Sequence, residues 1–148
     1  MTTVPVGQLE EIKAFGGILA KKKVTLDGSA NNGAIGTFPI FTVKGQVLLA
    51  LICVSEVVPV GASGTLKVGN SGSTARYLPS LTATTLVAGA SEDITGLVSA
   101  GTALKTTPSQ VALDGETIIG TVATTALTAG TLDYYAFYIP LTDGASVS

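Results

Sequence analysis

The chain has 148 residues, of which 46% are hydrophobic and only 12% charged, with a net charge of −2 and no histidine. The acidic balance offers no basic field for nucleic acid, and the missing histidine excludes His-based triads, general bases and metal sites. A single cysteine, Cys53, excludes an internal disulfide and a cysteine zinc site within one chain.

Residues 1–19 read as a short N-terminal arm. Leu9, Ile12 and Phe15 sit at helical spacing before Gly16-Gly17, so a short helical turn is one reading; an extended arm lying on a neighbour is the other. Val4, Leu9, Ile12 and Phe15 are its candidate contacts with that neighbour. No basic stretch precedes an apolar one, so a secretory signal is not expected. Residues 20–26, AKKKVTL, form a predicted strand. Lys21 and Lys23 fall on one face and Lys22 on the other. They either protect an edge strand or contact an acidic partner, and residues 29–33, SANNG, turn the chain after them.

Residues 36–60 hold the densest apolar run. Val47 to Val54 reads VLLALICV without a polar side chain, the mark of a strand covered on both faces. At eight residues it is less than half a membrane crossing, and no membrane association is expected. The pattern predicts two antiparallel strands joined at Lys44-Gly45-Gln46, with the second central. Cys53 reads as a small buried hydrophobe.

Residues 65–68 form a short strand. The Gly/Ser-rich loop 69–74 lacks the Lys of a phosphate loop. Residues 75–81, with Arg76 and Tyr77, and 116–123 are further strands. Asp114-Gly115-Glu116 predicts a tight hairpin turn, and the acid spacing of a calcium loop is missing there. In the last strand, 132–141, Tyr134, Ala136 and Tyr138 share one face and Tyr135, Phe137 and Ile139 the other. Residues 143–148 read as a flexible tail.

Short strands with turns every 8–12 residues predict an all-β protein, an antiparallel β-sandwich or jelly-roll-like barrel, as a single domain over 20–142. Leu49, Leu51, Tyr134, Tyr135, Phe137 and Tyr138 are expected in its core or in a subunit interface. Ser and Thr abound without a visible base, and no two acids are marked as a catalytic pair. The expectation is a structural or binding protein with no enzymatic activity and no cofactor. A charged fraction about half the roughly 25% of soluble proteins points to surface covered by other subunits or a large partner. The plainer alternative is a neutral Thr/Ser-rich exterior.

The order of an apolar double strand (TFPIFTVKGQVLLALICVSEVV), then GTLKVGNSGSTARYLPSLTATTLVAGA, then TVATTALTAGTLDYYAFYIPL resembles a group of small tailed-bacteriophage proteins. The matching residues are 41–48, 66–75, 82–89 and 128–135, within a span of about two thirds of the chain. The resemblance implies a capsid decoration (cement) protein or a related head or tail structural protein. It also implies a homotrimer that binds the major capsid protein on the outer surface of the virion. The chain departs from the group in its Lys-rich strand and at Arg76-Tyr77, departures expected to set a different partner. The reading from another class is a tail-fibre or baseplate β-sandwich that binds host glycan.

Overall fold

A computed structural model describes residues 17–86, 91–93 and 110–148. Among them are β1 (Ile18–Thr25), β2 (Gly36–Lys44), β3 (Val47–Val60), β4 (Thr65–Gly69), β5 (Leu78–Thr82), β6 (Ser91–Asp93), β7 (Gln110–Ala112), β8 (Thr117–Ala123), β9 (Ala129–Pro140) and β10 (Ser146–Val147). The protein is all-β, and every strand pair is antiparallel. One sheet runs β1-β9-β3-β6, with β7 also on β3; the other runs β10-β2-β8-β4-β5. The candidate contacts Val4, Leu9, Ile12 and Phe15 lie outside the described residues. Ile18 and Leu19, read with the arm, begin β1.

β3 and β9 form the spine of the first sheet, in continuous register from Val47↔Pro140 to Ser55↔Leu132 and paired on, through two register shifts, to Val60↔Ala129. The period of two along a strand sorts their side chains. Leu49, Leu51 and Cys53 of β3 face inward with Leu132, Tyr134, Ala136 and Tyr138 of β9, all buried. The second sheet answers with Phe38, Phe41, Val43, Leu66, Val68, Ile118 and Val122 in one continuous core. Each such aliphatic side chain contributes roughly 1.5–3 kcal/mol of gross burial. A register shift between Pro39 and Phe41 lets both Ile40 and Phe41 turn inward, since an extra residue reverses the alternation.

Three expectations are corrected. Residues 36–60 do not form a hairpin: β2 pairs with β8 and β10, and β3 with β9, in different sheets. Gly45 makes the crossing possible with a φ of +69°. A Cβ there would lie 2.7 Å from the Ala145 Cβ, a space only glycine leaves open. Asp114-Gly115-Glu116 is indeed a tight turn, closed by Glu116 N–H to the Leu113 carbonyl at 3.0 Å. Its flanking strands also part, β7 to the first sheet and β8 to the second. The two corners are stitched together: Gly45 N–H donates to Asp114 Oδ1 at 2.8 Å and Gly115 N–H to the Val43 carbonyl at 3.0 Å. Finally, residues 143–148 are not a free tail. β10 pairs with β2 through Ser146↔Lys44 and Val147↔Val43, and Ala145 and Val147 are buried in the core, a burial that fixes the segment.

Candidate assembly surface

The other side of the β3–β9 spine faces away from the core. Four cross-strand rows cover it. From one end they are Ile139–Leu48–Val111, Leu19–Phe137–Ala50, Lys21–Tyr135–Ile52 and Lys23–Asp133–Val54. The first two rows are apolar throughout. Leu48, Ala50, Phe137 and Ile139 are half-buried and Leu19 and Val111 exposed, so apolar area remains open to solvent on a face that a lone sandwich would make polar.

The predicted set is thereby divided. Leu49, Leu51, Tyr134 and Tyr138 belong to the interior, whereas Tyr135 and Phe137 lie on the other side of the sheet, Tyr135 buried there and Phe137 half-buried. Tyr134 sits directly across from Cys53. Burial pushes its hydroxyl well above the ordinary tyrosine range, and the Cys53 thiol adds to the shift. With Tyr134 wholly buried, its hydroxyl is an interior group and reaches no rim.

The last two rows carry a charged quartet spanning three strands. Lys21 Nζ stands 3.3 Å from Asp133 Oδ2, and Lys23 Nζ donates to Glu56 Oε2 at 2.6 Å. Lys21 also lies 5.1 Å from the centre of the Tyr135 ring, a cation–π distance. Asp133 has no solvent exposure. Burial raises its pKa first, the neighbouring Glu56 carboxylate raises it further, and Lys21 opposes both. Glu56 enters the quartet where β3 shifts register between Ser55 and Val57. Both candidate contacts on β1, Lys21 and Lys23, thus already have acidic partners inside the molecule.

A second polar cluster gathers at Glu116, a residue that the sequence reading places only in a hairpin turn and at the start of a strand. Its Oε1 accepts from Tyr77 Oη at 2.6 Å and from Asn70 Nδ2 at 3.0 Å. Its Oε2 accepts from Leu113 N–H at 3.2 Å and lies 3.6 Å from Arg76 Nη1. Arg76 Nη2 donates to the Val111 carbonyl at 2.7 Å. Burial alone would raise the Glu116 pKa; the bonds from Tyr77, Asn70 and Leu113 and the charge of Arg76 outweigh it and hold the carboxyl below its ordinary range. The usable signal is that the chain's single arginine is followed by a tyrosine, and neither polar end is buried without a hydrogen-bond partner. Arg76 and Tyr77 thus form an internal tie between loop 69–77 and the 113–116 turn. Beside it lies a shallow depression of about 420 Å³ lined by Asn70, Ser71, Asp114 and Thr117 among others.

No family model matches this chain, and no curated protein does. Among solved structures, a cyanophage Pam1 capsid asymmetric unit is similar over 84% of this chain and 85% of that chain, at 19% identity and a TM-score of 0.47. A likeness of that degree decides neither the activity nor the partners of this protein.

Proposed function

We propose that this chain is a non-enzymatic structural protein of a phage virion, a decoration (cement) protein that seats on the assembled head shell and reinforces it as a homotrimer. The observation that carries the reading is the outer face of the β3–β9 spine. Leu48, Ala50, Phe137 and Ile139 form half-buried apolar rows there and leave a sandwich with a third layer to cover. A neighbouring subunit or the capsid lattice supplies that layer. The resemblance of residues 41–48, 66–75, 82–89 and 128–135 to small phage virion proteins points the same way, and so does the scarcity of charge. The carboxylates that geometry brings together have structural occupations: Asp133 and Glu56 hold lysines, and Glu116 holds a turn. Rigid linkage of several modest contacts raises avidity by roughly 10²-fold or more, so each face needs little affinity of its own.

Electron microscopy of the purified particle tests the proposal. Density for this chain on the outside of the shell, in copies related by threefold symmetry, is the expected result. Particles without this chain, or with it confined to the tail, would end the proposal.

A further inference from the structure

We propose that the outer edge of β1 is a docking strand, which takes up an extended, acid-bearing segment of a partner protein by strand addition. Leu26 N–H donates to the Gly130 carbonyl at 2.9 Å, one residue beyond the Thr25↔Thr131 pair. In an antiparallel ladder, bonded and non-bonded pairs alternate. Val24, Lys22, Ala20 and Ile18 therefore turn their backbone groups toward β9, and Leu19, Lys21, Lys23 and Thr25 turn theirs outward. These outward groups make no hydrogen bond with the rest of the described chain. Unpaired backbone groups over eight residues are a template for another strand.

The other sheet margins are poorer templates. β5 spans five residues and carries Pro79, which lacks a donor; β10 spans two, and β6 and β7 three each. Lysines ordinarily guard such an edge. On β1, Lys21 and Lys23 are drawn across the outer sheet face to Asp133 and Glu56 and no longer stand guard. Lys22 makes no ion pair among the described residues and is exposed. Among the described residues, the three ammonium groups of β1 stand against the two carboxylates of Asp133 and Glu56, an excess of one positive charge.

That excess selects the occupant. Symmetric pairing with β1 of a second copy would set two Lys21–Lys23 runs against each other, and like charges directly opposite are destabilising. A strand with a carboxylate facing Lys22 and an aliphatic side chain facing Leu19 meets both demands. The inference concerns how a partner is held and stands apart from whether that partner belongs to a virion, so each can fail alone.

The test uses the full chain and a short capped peptide of alternating Glu and Val as the probe. In the free protein, the amides of Leu19, Lys21, Lys23 and Thr25 exchange with solvent rapidly. At nine-tenths occupancy by the peptide they slow roughly tenfold, and a Lys/Val peptide has no such effect. Leu19→Pro with Thr25→Pro removes two outward donors, leaves the β9 ladder intact and abolishes the protection. Should that variant not fold, Lys22→Glu reverses the preference to the Lys/Val peptide. Four results overturn the proposal: slow exchange of these amides in the free protein, concentration-dependent protection without peptide, no slowing at saturating peptide, or equal slowing by both peptides.

Discussion

Lys21 Nζ stands 3.3 Å from Asp133 Oδ2, and the aspartate side chain at that contact has no solvent exposure. Burial and then the Glu56 carboxylate raise the Asp133 pKa above its ordinary value. Between the unfolded and the folded pKa, the folded chain therefore holds a proton that the unfolded chain has released. The stability linked to this group is fully present below the unfolded pKa and is lost as pH rises through the folded one. Asp133→Asn should remove that decline. Urea midpoints measured from acid to neutral pH check this, and an unchanged slope in the variant would contradict the assignment.

Glu116 acts with the opposite sign. Its carboxyl lies below the ordinary range, so its contribution is present above the unfolded pKa and fades as pH falls through the folded one. Glu116→Gln should cost roughly 1–3 kcal/mol at neutral pH, the range for breaking a buried hydrogen-bonded group. In acid the variant and the parent should converge. Chemical denaturation at both pH values decides, and a loss of equal size in acid would mean the carboxylate charge is irrelevant.

Gly120 lies against the Phe38 ring, its cross-strand partner. A Cβ at Gly120 would fall 2.2 Å from Phe38 Cζ, and Phe38 is itself buried. Gly120→Ala must displace the ring and should destabilise by roughly 1–3 kcal/mol, as overpacking does. An unchanged melting temperature would show that the core yields more easily than its packing implies.

Ser55 is buried at the register shift of β3, and its hydroxyl has no hydrogen-bond partner among the described residues. Removing an unsatisfied buried donor recovers its desolvation cost, so Ser55→Ala should stabilise by about 1 kcal/mol. Calorimetry would expose the error if the variant melts earlier.

The two sides of β3 should separate folding from assembly. Leu49→Ala opens the core and should cost roughly 2–5 kcal/mol. Leu48→Ser with Phe137→Ser changes only the outer face; the chain should stay folded and lose self-association and shell binding. Circular dichroism and sedimentation velocity distinguish the cases. A folded double variant that still assembles would move the interface elsewhere.

Much of the fold is legible along single strands. An eight-residue apolar run at Val47 to Val54 marks a strand covered on both faces, and alternation in β9 assigns Tyr134 and Tyr138 to one side and Tyr135 and Phe137 to the other. The same period places Lys21 and Lys23 together. These are local consequences of the pleat. Pairing is another matter. A chain that reverses at Lys44-Gly45-Gln46 reads as a hairpin, because the cheapest closure joins neighbours. The Glu116 cluster joins Asn70 and Tyr77 to a residue 46 and 39 positions away, beyond the reach of any local pattern.

What the sequence by itself determined is the class of structure: all-β, scarce in charge, with two strands apolar on both faces. Period and composition suffice for that, since each residue's face follows from its immediate neighbours. Only the tertiary structure decided which face is core and which carries open apolar area, that β2 and β3 part into separate sheets, and that Lys21 and Lys23 lie along the outer sheet face against Asp133 and Glu56. Those outcomes depend on side chains brought together from distant strands. Burial and charge act through the neighbours a residue finds in space.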